Sequence, residues 1–349
     1  MKKLALFSLI IGIILMSSNL FSQDNSKVVM KEKTGGEMQQ IDEKLSYDEL
    51  QSKAIDHYRK DSIDTAILYM EYAQKKYPEN DISSLKILAQ MYTVVGQYPK
   101  AIGVWKKGIE KGYFYNLNND AYQKYYKDNN EFEKLAKIEK DKIDASHIKH
   151  EVLLPENYDQ NKLYPVLFVF HGNNRNIELA KSVWTSDIMK KEFISVFLQS
   201  YANMDKDTYQ WIQNDEKTNK EFKEIYDNVM KMYSVDTNKI VFAGMSAGGL
   251  KVVDYAFNEF VPMSGLVLNC PVIPTNITEE ALKQFVEKNK RIGIITGEKD
   301  FALDGQKKLL TDLENLNGKT KIIVNEDLGH VFAEDFSIRL DEYLKWVIE

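Results

Sequence analysis

The sequence predicts a mixed α/β fold: a mostly parallel sheet with helices on both faces, preceded by a small all-α helical repeat domain. Three observations carry this prediction. Short apolar runs alternate with amphipathic stretches from residue 146 to residue 349. Over residues 46–140 apolar residues recur instead at helical spacing, with Pro78 and Pro99 as the only prolines. The composition is that of an ordinary globular chain, 44% hydrophobic and 28% charged over 349 residues, which excludes a disordered or collagen-like chain.

The N-terminus has a different texture. Lys2 and Lys3 precede an apolar run from Leu4 to Met16, followed by the small residues Ser17, Ser18 and Ser22. This reads as a secretory signal peptide over residues 1–22, cut near Ser22. The run falls short of the roughly 20 residues of a spanning helix. The alternative is an uncleaved N-terminal membrane anchor. No cysteine follows the run, so a lipoprotein anchor is not expected. The expected destination is export, periplasmic or secreted. Residues 23–45 are polar, hold Gly35 and Gly36, and read as a flexible linker.

The net charge is −6, and loss of Lys2 and Lys3 with a leader makes it more negative. Such a surface does not suit nucleic acid. The single Cys270 cannot form an internal disulfide, so an exported chain must rely on its apolar core.

Within 46–140, Ala66-Ile67 and Ala101-Ile102 stand at equivalent places of two helical segments, Asp64 to Asn80 and Tyr98 to Gly112. Leu85 to Tyr98 supplies a helix with a Gly96 turn between them, and a degenerate third repeat falls around Asn119 to Lys140. The pattern resembles the tetratricopeptide repeat, whose period is about 34 residues. Each helix pair of such an array exposes a face that needs a neighbour. The resemblance implies a surface for a protein partner or a homodimer contact.

Strands are expected at Ile148–Leu154, Pro165–Phe170, Phe193–Leu198, Lys239–Ala243, Gly265–Leu268, Arg291–Ile295 and Thr320–Val324. Helices are expected over 219–233, 247–260, 279–288 and 305–315 and at the C-terminus. Strands that alternate with helices and are apolar throughout belong to a parallel sheet covered on both faces.

Gly244-Met245-Ser246-Ala247-Gly248 stands where a buried strand meets a helix. This G-x-S-x-G pattern is a nucleophile elbow: a sharp turn exposes the serine, and only small residues fit two positions to either side. A carboxylate and a histidine follow in the order such chemistry uses. Asp300 comes just after the strand 291–295, and His330 follows the strand 320–324. Of the five histidines only His330 lies beyond Ser246; His57, His147 and His150 read as surface residues. The expected roles are Ser246 as nucleophile, His330 as base and then acid, and Asp300 as the group that orients the imidazole. Asp304 is the main rival for the acid, with Glu326 and Asp327 as further neighbours of His330 in sequence.

The oxyanion donors are expected at the backbone N–H groups of Ala247 and Asn173. His171 reads as a brace of that loop. Tyr209 and Trp211, in the irregular stretch 201–211, are candidate pocket residues or packing residues. Arg175 is a candidate contact for an acidic substrate or simply an exposed arginine. Cys270 reads as a buried small hydrophobe. No phosphate loop, dinucleotide glycine motif or metal-ligand cluster is present in the sequence, so neither cofactor nor metal is expected.

Over about Ile148 to Glu349 these pieces, with Leu154-Pro155-Glu156-Asn157-Tyr158, Tyr164-Pro165, His171-Gly172 and Val235-Asp236-Thr237-Asn238-Lys239-Ile240, resemble the α/β-hydrolase superfamily. The secreted carboxylesterase, feruloyl-esterase and polyhydroxyalkanoate-depolymerase-like groups are the nearest in pattern. That family often has glycine where Asn173 and Asn174 stand, and asparagine tolerates the left-handed backbone such positions need. The resemblance implies a catalytic domain over 146–349 with an open pocket, acting on a small or polymer-linked ester. Two other readings stay open. One is a prolyl-oligopeptidase-type peptidase, although those chains usually carry a β-propeller before the hydrolase. The other is a binding protein whose repeats do the work beside a vestigial hydrolase.

Overall fold

The structure, a computed structural model, describes residues 27–29, 40–213 and 215–349. The expected signal peptide over 1–22 lies outside the described residues. Among the described residues, no helix is long and apolar enough to cross a membrane. The chain divides into two compact units, Met1–Asp144 and Ala145–Glu349.

The first unit is helical. A two-stranded antiparallel ribbon, β1 (Lys27–Val29) with β2 (Gln40–Asp42), precedes it. The helices are α1 (Tyr47–Arg59), α2 (Ile63–Lys76), α3 (Asp81–Val94), α4 (Tyr98–Glu110), α5 (Asp120–Gln123) and α6 (Asn130–Ala145). Helix α1 starts at a capping box in which Ser46 and Glu49 each hold the other's backbone N–H. The expected flexible linker needs correction at its C-terminal end. Ile41 is buried in the helical core, Leu45 packs against it, and the Leu45 carbonyl accepts the Tyr77 hydroxyl at 2.7 Å. The apolar Ile41 and Leu45 each bury surface, so that end is anchored.

The third repeat also departs from expectation. Its first helix shrinks to α5, four residues, because the chain before it is held in an irregular course. Buried Glu139 on α6 accepts the N–H groups of Tyr115 at 2.6 Å and Leu117 at 2.8 Å. Trp105 of α4 then packs its ring against Tyr122, Tyr126 and Phe132, closing the core.

The second unit is built on a seven-stranded sheet in the order β3-β5-β4-β6-β7-β8-β9. The strands are β3 (Lys149–Leu153), β4 (Tyr164–Phe170), β5 (Ile194–Gln199), β6 (Val235–Met245), β7 (Gly265–Asn269), β8 (Arg291–Gly297) and β9 (Lys319–Asn325). Only β3 runs antiparallel, against β5; the other neighbours are parallel. The helices are α7 (Ile177–Val183), α8 (Asp187–Glu192), α9 (Glu216–Met232), α10 (Ala247–Phe257), α11 (Glu279–Glu287), α12 (Leu303–Glu314) and α13 (Phe336–Ile348).

Alternation along the strands sends side chains to two covers. Leu167, Val169, Val241 and Val267 pack with Ile177, Ile188, Leu340 and Leu344 from α7, α8 and α13. Phe168, Phe170 and Phe242 meet Phe222, Tyr226 and Tyr255 from α9 and α10 in an aromatic layer. Strand β6 begins four residues before its expected start and α9 three before its own, while α7 and α8 are not foreseen at all. Because the central strands are parallel, the turns after β4, β6, β7, β8 and β9 gather at one edge of the sheet.

Candidate functional site

Ser246 stands at that edge between β6 and α10, with φ 53° and ψ −117°, a left-handed conformation that is strained for a residue with a side chain. The glycines around it are forced by close approach. A Cβ on Gly244 would lie 2.6 Å from the Gly248 carbonyl carbon, and one on Gly248 would lie 2.3 Å from the His171 carbonyl oxygen. The Ser246 N–H is tied to the Asn269 carbonyl at 3.2 Å, at the end of β7.

Asp300 follows β8 and is buried with every carboxylate lone-pair direction in use. Oδ1 accepts His330 Nδ1 at 2.9 Å and the Ala302 N–H at 2.9 Å. Oδ2 accepts Thr296 Oγ1 at 2.9 Å and Gln306 Nε2 at 3.1 Å. Burial by itself would raise this carboxyl's pKa; the hydrogen bonds from His330 and from the Ala302 N–H outweigh it and hold the group well below the usual carboxylate range. An ionised Asp300 makes His330 Nδ1 the donor, which in the neutral imidazole leaves the lone pair on Nε2. Nε2 is buried and meets no hydrogen-bond partner. Ser246 Oγ and His330 Nε2 are therefore not hydrogen-bonded to each other in this structure.

Asn269 joins the two halves of the site. Its carbonyl holds Ser246, and its side-chain amide reaches the Val331 carbonyl at 3.4 Å. Cys270 Sγ also reaches the Val331 carbonyl at 3.4 Å, and burial pushes this thiol up to about 12, so it stays protonated. Ligand atoms of Cys270, Asp300 and His330 lie within 4.8 Å of one another. The Asp300 carboxylate already accepts four hydrogen bonds within the protein. The rivals for the acid are elsewhere: Asp304 is exposed in the first turn of α12, Glu326 is exposed, and exposed Asp327 pairs with Lys299 at 2.8 Å.

The loop after β4 is braced from several sides. Buried His171 shares a hydrogen bond with the Gly172 carbonyl through Nδ1 at 2.7 Å and accepts the Ser200 N–H on Nε2 at 3.2 Å. Burial lowers its pKa to about 4, which keeps the ring neutral. Asn174 takes the left-handed backbone, φ 58°, and Asn173 does not. Among the described residues no acceptor takes the Asn173 or Ala247 N–H.

Of the two readings open for Tyr209 and Trp211, pocket or packing, Trp211 follows the packing one. Trp211 is buried behind the loop, its indole N–H on the His171 carbonyl at 2.9 Å and its ring against Phe170 and His171. Tyr209 pairs through its backbone with Arg175 and Asn203. Both bear on the loop, and neither is on the lining of the cleft at Gly172 and Met245. That cleft, about 140 Å³, is lined by Gly172, Arg175, Val183, Trp184, Met245 and Phe332 among others. A larger cavity of about 370 Å³ lies among Asn238, Ser264 and Lys290, at the opposite ends of the strands and away from this chemistry.

Sequence reasoning missed three supporting residues. Thr296 and Gln306 hold Asp300, and exposed Phe301 lays its ring 4.5 Å from the His330 ring. Thr296 and Phe301 flank the acid closely in sequence, whereas Gln306 carries no local signal.

No protein-family profile and no curated protein matches the chain. Among solved structures, an uncharacterized protein from Bacillus cereus ATCC 10987 is 20% identical with a TM-score of 0.50, covering 87% of this chain and 99% of that one. A ferulic acid esterase is 18% identical over 58% of this chain and 91% of its own, with a TM-score of 0.46. The Bacillus cereus carboxylesterase is 20% identical over 58% of this chain and 95% of its own, with a TM-score of 0.41. At 20% identity the likeness to the first of these is one of fold alone.

Proposed function

We propose that the chain is a serine hydrolase cleaving carboxylic esters through an acyl-enzyme. The observation that carries the reading is the Asp300–His330 bond of 2.9 Å, beside a strained serine at a strand–helix elbow. In this reading Ser246 Oγ attacks the ester carbonyl carbon while its proton passes to His330 Nε2. The oxyanion is received by the Ala247 and Asn173 N–H groups. Collapse breaks the ester C–O bond, and His330 returns the proton to the leaving alcohol. Water then attacks the acyl group by the same route in reverse, releasing the acid and restoring Ser246. The peptidase alternative keeps the same groups and differs only in the leaving amine. A mature chain exported after cleavage near Ser22, and a tetratricopeptide-like first unit that receives a protein partner or a second copy, complete the proposal.

The test is covalent labelling with a fluorophosphonate, together with turnover of short-chain aryl esters and of peptide amides. Wild type is expected to label and to prefer the esters, and Ser246→Ala is expected to lose labelling while its circular dichroism stays native. Undiminished ester turnover in Ser246→Ala overturns the assignment, and preference for the amides moves it to the peptidase.

A further inference from the structure

We infer that Arg175 selects esters whose acyl group ends in a carboxylate. The inference rests on the serine-hydrolase reading and names its substrate class. It begins with the cleft beside Ser246. Gly172 and Met245 line that cleft; Met245 directly precedes Ser246 in the chain, and a Cβ on Gly172 would be 3.6 Å from Ser246 Cβ, so the cleft adjoins the elbow. Its walls are apolar, from Val183, Trp184, Met245 and Phe332, and its volume of about 140 Å³ suits a short acyl chain. The one cationic side chain on its lining is Arg175.

Arg175 is held there by its backbone. The Tyr209 N–H bonds its carbonyl at 2.9 Å, and the neighbouring Asn174 N–H bonds the Tyr209 carbonyl at 3.0 Å. Thr208 Oγ1 fixes the Asn174 side chain at 2.8 Å, and Asn176 Nδ2 reaches the Asp207 carbonyl at 3.0 Å. The guanidinium itself forms no ion pair among the described residues. Two acids close to Arg175 in this loop region have other partners. Glu178 pairs with Lys181 at 3.3 Å, and the Asp205 carboxylate takes the Lys206 N–H at 2.6 Å.

A protein with net charge −6 repels anions at long range, so an unpaired guanidinium on an apolar cleft is the local feature that reverses this. Its planar fork matches a carboxylate with two parallel hydrogen bonds. The chain wall accounts for the methylenes and Arg175 for the terminal charge. The leaving alcohol lies on the other side of the carbonyl, toward His330, which must protonate it.

The experiment compares two matched ester pairs on the full chain. Monomethyl glutarate and methyl pentanoate share chain length and leaving group, and differ in a terminal carboxylate or methyl on the acyl side. The acetate ester of 4-hydroxybutanoate and butyl acetate place the same difference on the alcohol side. Wild type is expected to favour monomethyl glutarate in kcat/KM by about tenfold or more, the worth of one charge-assisted bidentate contact. Arg175→Ala is expected to abolish that ratio and Arg175→Lys to restore part of it. Both substrates are read on one sample, so loss of folded protein cancels from the ratio. A ratio near one in wild type, or one unchanged in Arg175→Ala, overturns the inference. Preference confined to the alcohol-side pair overturns the acyl assignment. Fluorophosphonate labelling separates the levels: a labelled enzyme without the preference loses only this inference, and an unlabelled one loses the serine reading beneath it.

Discussion

Single residues decide whether the chemistry is possible, and His171 shows how a residue away from the reacting atoms does so. Its neutral ring accepts from Ser200 on one side and bonds the Gly172 carbonyl on the other, which holds the loop that carries Asn173, the proposed oxyanion donor. Protonating Nε2 removes the acceptor for the Ser200 N–H. The folded-state pKa is about 4, below the ordinary 6.5, so between these values the unfolded chain binds more protons than the folded one. Stability therefore falls as pH drops from 6.5 to 4 and is flat in this group above 6.5. The size of the effect is about 3 kcal/mol. Urea unfolding of wild type and His171→Gln across this range checks it. The variant is expected to be less stable at pH 7 and to show the shallower dependence on pH. Parallel curves would remove His171 from the account.

Elements set the distances that residues then exploit, and at the elbow β4, β6 and α10 approach one another closely. Gly248 is the first-turn residue of α10 that touches β4, and its missing Cβ would meet the carbonyl oxygens of His171 at 2.3 Å and Phe170 at 2.4 Å. Both obstacles are backbone, so neither can turn aside. Gly248→Ala is expected to cost about 3 kcal/mol by overpacking. It should also displace the proposed Ala247 donor from the loop after β4 and slow fluorophosphonate labelling about a hundredfold, the usual consequence of a misplacement near one ångström. Labelling rate and thermal midpoint, measured together, test the two halves separately. These elements were legible because the strands are continuous apolar runs and the elbow has its own spacing. The order of Asp300 and His330 was legible because each follows a strand of the same parallel sheet. Helices α7 and α8 were not, since each is short and its apolar residues Ile177, Ala180, Ile188 and Met189 span too few turns to show a period. The bracing by Trp211 was hidden for another reason: an aromatic residue in an irregular stretch looks the same whether it faces substrate or the back of a loop. Gln306 lies on α12 among charged residues, and only the fold turns its amide to Asp300.

At the scale of the whole molecule, the division after Asp144 separates two kinds of stabilisation. The first unit closes its core with Trp105, Tyr126 and Phe132 and with the buried Glu139 carboxylate. The second buries its strands under two helical covers. Each therefore has a core of its own, the physical requirement for folding alone. Every group assigned to the chemistry lies after residue 145: Ser246, Asp300 and His330, the donors at Ala247 and Asn173, and the braces His171, Trp211, Thr296 and Gln306. The helical unit contributes none of them. A chain beginning at Ala145 is accordingly expected to fold, to label with a fluorophosphonate at a rate within about threefold of the full chain, and to keep the ester preference set by Arg175. Labelling kinetics on the two chains at equal concentration measure this directly. A chain that folds by circular dichroism yet labels far more slowly would show that the helical unit acts on the site, and would make the two units one catalytic assembly.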